Sequence, residues 1–417
     1  MRSVAKALRA AHSEEALYIL VAARNSGSFT YDGIELGGER VCSEIEEELE
    51  QIRSRGGRIT KLSMVGYSLG GLVARYAVGL LHAKGVFSQV EPVNFTTFAS
   101  PHLGVRSPLR GWYSHVWNIL AARTLSMSGR QLFTIDSFRD TGRPLLAVLA
   151  DPDSIFMAGL KRFRQRTLYA NILNDRTAVY YTTGISKTDP YADLSKVQVH
   201  YLGGYEDVIL DPQDPVSPLA QIGDPKAAGP GASFVEHLKR APGLALLAIL
   251  VPIGVVTFLV NALVQTFRSA RRIRMHECGL AGVPAQDYRV PIWIKEIRGA
   301  VEDAYENLNS SQQQAFLGAG SSDDDEQEGD GGLGREEEAE ILALERKQSH
   351  TAFPTLALAP YQFAMASALD DLGWRKFPVW IHKSRHTHAA IIVRTEKPAF
   401  SEGYVVLKHW LKEEFII

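Results

Sequence analysis

Ser68 stands in Met64-Val65-Gly66-Tyr67-Ser68-Leu69-Gly70-Gly71, a serine with glycine two residues away on either side. An apolar strand-like run precedes it and a helix-forming run follows, the context in which a GxSxG turn lifts a serine hydroxyl above a sheet as a nucleophile for acyl transfer. Gly66 and Gly70 are expected to be required because a side chain at either place would strike the neighbouring strand and helix. The helix that begins after Ser68 brings its positive dipole end close by, and the Leu69 N–H is the nominated donor to a developing oxyanion.

A serine alone is a weak nucleophile at neutral pH, so a carboxylate and then a histidine should follow it in the chain. Asp175 comes two residues after Thr167-Leu168-Tyr169-Ala170-Asn171-Ile172-Leu173, at the carboxyl end of a predicted strand, and is the nominated acid. Asp189, before Pro190 in a turn, and Asp207 are the weaker alternatives. Three histidines, His382, His386 and His388, cluster after Phe377-Pro378-Val379-Trp380-Ile381. His388 is nominated as the base because the apolar Ala389-Ala390-Ile391-Ile392-Val393 could anchor its loop. A histidine tract can also bind metal, but no cysteine or carboxylate stands at ligand spacing, so no metal and no cofactor are expected. His102 precedes Asp175, the wrong order for the base, and reads as a structural loop histidine.

The elements that must position these groups alternate along the chain. Residues 3–12 read as a helix, Leu17–Ala22 as a buried strand, and 39–54 as an amphipathic helix, with Val41, Ile45, Leu49 and Ile52 on one face. A strand at 59–65, a helix at 70–81 and a strand at 92–99 follow, then strand character at 167–173, 178–182, 377–381 and 389–393. This alternation predicts an α/β fold, a mostly parallel sheet with helices on both faces. Residues 106–165, with Trp112, Tyr113, Trp117, Leu120 and Leu125 on a mixed helical pattern, fit either a cap over a pocket or an ordinary packed helix. The acidic, glycine-rich stretch at 321–340 reads as a disordered linker.

With 417 residues, 45% of them apolar, the chain holds one large core with appendages, and two ordinary domains would also fit. A net charge of −2 provides no basic field, so nucleic acid is not an expected partner. Cys42 and Cys278 are far apart and form no ligand spacing, which favours a reducing compartment. No apolar targeting run precedes Glu14, so no secretory signal is expected.

Taken together, Asn25-Ser26-Gly27, Tyr31-Asp32-Gly33-Ile34, Gly37-Gly38-Glu39-Arg40, the stretch Gly66 to Tyr76, Ser100-Pro101-His102-Leu103-Gly104, Tyr169-Ala170-Asn171 with Asp175, and His388 with Ile391 to Arg394 resemble the lipase-like serine esterase family of fungi and plants. The resemblance implies an α/β-hydrolase fold, phospholipase, acylglycerol lipase or related esterase activity, and a triad of Ser68, Asp175 and His388. It departs from the family at one place: the strand ending in His-Gly, which carries a further oxyanion donor, has no counterpart before Leu17. The implied sheet then has a central gap between 17–22 and 59–65, as a truncated or catalytically impaired form would.

From Ala241 to Phe267 no residue is charged, and Lys239-Arg240 on one side and Arg268, Arg271, Arg272 and Arg274 on the other read as headgroup anchors. Ser68 and Asp175 precede this segment and His388 follows it, so a single crossing would keep the triad apart. The expectation is therefore a hairpin turning at Pro252-Ile253-Gly254, each arm reaching roughly 15 Å into hydrocarbon, with a buried helix pair as the alternative. The chain then divides into a hydrolase core at 1–240, a membrane-associated segment at 241–275, a linker at 276–350 and the rest of the core at 351–417. Its expected partners are a lipid ester and the cytoplasmic face of a membrane or lipid droplet.

Overall fold

A computed structural model of the chain describes residues 1–105, 126–219, 260, 263–276, 278–279, 288, 341–345 and 353–417. Among the described residues four strands form the central sheet: β1 (Lys61–Tyr67), β2 (Glu91–Phe98), β3 (Gln165–Asn171) and, after the two-stranded sheet of β4 (Val197–Val199) and β5 (Val216–Pro218), β6 (Arg375–Val379). The order is β1-β2-β3-β6 and every pair is parallel. Parallel strands need both faces covered, and their sequences are apolar on both. In β3, Leu168 and Ala170 enter one core cluster while Tyr169 enters the other.

Helices α2 (Ile34–Ser54), α3 (Leu69–Ala83), α4 (Ile155–Lys161) and α5 (Pro360–Asp370) cover the first face, and α1 (Arg2–Ala11) and α6 (Gly403–His409) the second. Glycines set the close approaches. A Cβ on Gly38 would lie 2.5 Å from the Tyr76 ring, and one on Gly79 would lie 2.3 Å from the Phe156 ring, so α3 lies tight between α2 and α4. On the second face Phe98, Tyr169 and Phe377 stack across neighbouring strands at 5.0 and 5.2 Å, with Trp410 edge-on to Phe98.

The chain's end ties the strands together. Buried Glu414 accepts hydrogen bonds from Gln165 and Thr167 on β3 and pairs with Arg375 on β6, while Asn94 of β2 exchanges hydrogen bonds with the Ile416 backbone. Residues from opposite ends of the sequence thereby share one sheet.

Several expected elements differ. Residues 17–22 form no strand, and Tyr18, Leu20 and Val21 are exposed. Side chains rather than a ladder hold this segment: Tyr18 donates to Glu48, and the Ala23 and Arg24 N–H groups donate to Glu44 on α2. Residues 178–182 are not a strand either; Tyr180–Thr183 is a helical turn whose approach is fixed when Asp175 accepts from the Thr177 and Ala178 N–H groups. Of the apolar run at 389–393, Ala389 and Ala390 end the short helix Thr387–Ala390, and Ile391–Val393 form a buried turn. Apolar runs this short read alike whether they become strand or buried turn.

Residues 106–125 of the region expected as a cap or packed helix, the acidic stretch at 321–340 and most of the uncharged segment, 241–259, lie outside the described residues; the rest of that region, 126–165, holds the short helices Met127–Leu132 and Leu145–Leu149 as well as α4. Among the described residues no helix is long and apolar enough to cross a membrane. The basic flank divides: Arg272, expected at headgroups with its neighbours, instead faces the protein, where its guanidinium grips the buried Asp32 carboxylate at 2.6 to 2.9 Å.

Candidate active site

β1 ends at Tyr67 and α3 begins at Leu69, so one residue makes the turn. Ser68 has φ 54° and ψ −131°, a conformation that costs a non-glycine residue about 1–3 kcal/mol. Its surroundings hold it there. The Ser68 N–H donates to the Phe98 carbonyl at 3.0 Å, and a Cβ on Gly66 would stand 2.3 Å from Gly71 Cα. The expected role of Gly70 needs correction, because a Cβ there would meet nothing within 4 Å. Gly71 is the second tight position: a Cβ on it would lie 2.1 Å from Ser100 Oγ.

β3 ends at Asn171, and Asp175 follows on its loop with its side chain buried. One carboxylate oxygen accepts from the Thr177 and Ala178 N–H groups, and the other from Asn171 Nδ2 at 2.9 Å and from His388 Nδ1 at 2.8 Å. His388 comes from beyond β6, in Thr387–Ala390, and its Nε2 lies 2.9 Å from Ser68 Oγ. Since a carboxylate only accepts, Nδ1 carries the proton and Nε2 is left to accept from the hydroxyl. The three side chains meet across sequence separations of 320 and 213 residues. Leu69 opens α3, where the first N–H groups of a helix have no intrahelical acceptor.

The alternative groups are occupied elsewhere. Asp189 caps a turn by accepting from the Tyr191 N–H, and burial lifts its carboxyl to about 6. Asp207 sits in a left-handed turn. His382 stacks on Trp380 at 4.4 Å, and His386 precedes the short helix that carries His388. His102 is fully buried, with Nε2 3.0 Å from Thr97 Oγ1. Burial first and the Arg75 charge second hold its pKa well below the usual histidine value, so it is neutral. Among the described residues no three His, Cys, Asp or Glu side chains are grouped to hold a metal.

Three positioning groups escaped the sequence reading. Asn171 shares the Asp175 carboxylate with His388. Thr387 Oγ1 donates to the Leu173 carbonyl at 2.9 Å and so fastens the histidine's loop to the acid's loop. Tyr67 donates from its hydroxyl to the His388 carbonyl at 3.0 Å, with its ring 5.1 Å from the imidazole, and desolvation raises its pKa to about 12. Tyr67 lies inside the serine motif itself, the one signal that could have drawn attention to it.

Residues 1–188 match the family model described as "Putative serine esterase (DUF676)". The match takes in less than half of the chain. The matched segment contains Ser68 and Asp175, while His388 lies outside it. Similar curated proteins are "Putative lipase YDL109C" of Saccharomyces cerevisiae, 32% identical over 198 residues, "Putative lipase C4A8.10" of Schizosaccharomyces pombe, 30% over 203, and "Putative lipase ROG1" of Saccharomyces cerevisiae, 32% over 169. These matches take in 46%, 45% and 40% of this chain and 28%, 25% and 23% of the relatives' own lengths. No solved structure matches the chain.

Proposed function

We propose that the chain is a carboxylic ester hydrolase of the lipase kind, acting by acyl transfer through Ser68, His388 and Asp175. The observation that carries this reading is the relay from Ser68 Oγ through the imidazole to a buried carboxylate, in steps of 2.9 and 2.8 Å. Ser68 Oγ attacks the ester carbonyl as His388 Nε2 takes its proton. Asp175 holds the ring in the required tautomer and stabilises the imidazolium. The Leu69 N–H donates to the oxyanion of the tetrahedral intermediate. Collapse expels the alcohol, which receives the proton from His388, and water drawn through the same base then releases the acyl group and restores Ser68.

The substrate class is an ester of a lipid, a phospholipid or an acylglycerol, met at the cytoplasmic face of a membrane or lipid droplet. Two things support this finer reading: the word lipase in the relatives' names and the uncharged run from Ala241 to Phe267. In this proposal residues 1–240 and 351–417 are the hydrolase core, 241–275 the lipid-facing segment and 276–350 a linker.

A second reading, a catalytically impaired hydrolase-fold scaffold, has one observation in its favour. β1 is an edge strand of the described sheet, where the family pattern sets a further strand with a second oxyanion donor. Losing one such donor costs about 10²–10³ in turnover. A fluorophosphonate probe separates the two. Labelling of the chain and none of Ser68→Ala, with hydrolysis across a panel of lipid esters, is the expected result; a folded chain that stays unlabelled would establish the scaffold instead.

A further inference from the structure

The helix through residues 263–276 is amphipathic in the reverse sense for a helix packed on a protein. Its inward side is polar and makes polar contacts. Ser269 Oγ donates to the Tyr31 carbonyl at 3.1 Å, Arg272 grips Asp32 and donates to the Ser28 carbonyl at 2.9 Å, and His276 Nε2 lies 2.5 Å from Glu39. Positions 265, 269, 272 and 276 recur at intervals of four, three and four, which places them along one face. The apolar side looks outward. Phe267 is 69% exposed and Val260 56%, and Leu263, Val264 and Met275 are exposed as well.

Arg268, Arg271 and Arg274 share this outer side: 263, 267, 271 and 274 fall on one helical row, and 264, 268, 271 and 275 on the next. All three arginines are exposed, and no carboxylate pairs with any of them among the described residues. Arg272, one position along, is the one whose charge the fold neutralises. An exposed apolar row continued by unpaired cations is the pattern of a helix lying in the plane of a lipid interface, its apolar residues among the acyl chains and its arginines at anionic headgroups.

Position in the fold adds to this. The helix is clamped to the 3-10 helix Gly27–Tyr31 and its cap Asp32, which lead into the first turn of α2. That turn packs on the first turns of α3, where a Cβ on Gly37 would lie 3.1 Å from Val73, and α3 begins directly after Ser68. Phe29, under the Arg272 guanidinium at 5.1 Å, is itself partly exposed and widens the apolar surface.

We infer that the outward face of the 263–276 helix, formed by Leu263, Val264, Phe267, Arg268, Arg271 and Arg274 with Val260 beside it, docks the protein on an anionic lipid surface. This deepens the reading of a hydrolase working at a lipid surface and rests on it for its purpose, but the docking itself needs no catalysis. The polar clamp, above all Arg272 with Asp32, holds the helix so that its apolar side stays outward.

The test is co-sedimentation of the full chain with vesicles of phosphatidylcholine, with and without phosphatidylserine. Binding is expected to the mixed vesicles, to weaken as salt is raised, and to fall roughly fivefold for each of Arg271→Gln and Arg274→Gln. Phe267→Ser, an exposed position, is expected to weaken binding about tenfold or more, with an unchanged circular dichroism spectrum showing that the chain folds. Ser68→Ala should bind like the wild type. Wild-type protein that ignores mixed vesicles, or variants that bind them as well as it does, would overturn the inference. So would a Phe267-dependent dimer in light scattering whose loss leaves vesicle binding intact, because a second copy would then be the occupant. Hydrolysis of a soluble p-nitrophenyl ester by the wild type and Ser68→Ala is measured separately. A chain that binds vesicles but hydrolyses nothing fails the acyl-transfer reading alone, and one that hydrolyses the ester but ignores vesicles fails the docking alone.

Discussion

Ser68 and Asp175 show two different ways of keeping a group ready. The serine is held in a strained backbone conformation by contacts around it, whereas the carboxylate is held by four donors that leave it no freedom to turn. Asp175→Asn should keep this geometry while presenting the wrong partner to His388 Nδ1. Turnover of a soluble ester should fall by about 10⁴ with the folded spectrum unchanged, and an asparagine variant of near-normal rate would remove Asp175 from the proposed relay. A different carboxylate makes stability depend on pH. Burial of Asp136 raises its pKa from 3.8 to about 6, and one of its oxygens accepts from the Leu145 N–H while the other finds no donor. The folded chain therefore holds this proton more tightly than the unfolded chain, and stability falls as pH rises between the two values. Asp136→Asn keeps the Leu145 contact and removes the buried charge, so its urea midpoint at pH 7 should exceed the wild type by the equivalent of about 3 kcal/mol. The two should converge below pH 4. Asp189, raised into the same range by burial, leaves a residual slope in both.

Among the elements, the β1–α3 turn decides most. Its two tight glycines are not the two that define the motif's outline. Gly66→Ala would drive a methyl into the Gly71 backbone, which has no side chain to move aside, and should cost about 1–3 kcal/mol in thermal or urea unfolding and abolish probe labelling. Gly70→Ala meets open space at a helical position and should unfold no earlier than the wild type. Equal losses at the two positions would mean that the turn is held by something other than this close approach. α3 adds a second feature, the buried Arg75, which donates to the carbonyls of His102 and Leu149 and pairs with no carboxylate among the described residues. Desolvation lowers its pKa to about 9, and its work is to satisfy two buried carbonyls where the loop after β2 crosses the helix.

In the molecule as a whole, residues 353–417 complete both the sheet and the relay. β6 pairs with β3, Glu414 clamps both strands, and His388 arrives on the loop between. A chain ending at residue 352 should therefore lose fluorophosphonate labelling although Ser68 and the whole matched esterase segment remain; labelling of that shorter chain would show that another base serves the serine. The sequence by itself determined what is local. The serine turn follows from a strand, a glycine and a helix in succession, the paired helices α2 and α3 from their apolar spacing, and Asp175 from its place at a strand's end, all within a few neighbours along the chain. Short apolar runs do not declare their structure, because the same residues suit a strand or a buried turn, and only a hydrogen-bonding neighbour decides which. For 17–22 side-chain contacts to α2 took that neighbour's place, and for 178–182 the Asp175 carboxylate captured the backbone first. Which of three histidines reaches the serine, which of four basic residues turns inward, and which side of the 263–276 helix meets solvent depend on distances between parts of the chain hundreds of residues apart. Spacing along a sequence carries no record of such distances, and packing alone brings those parts together.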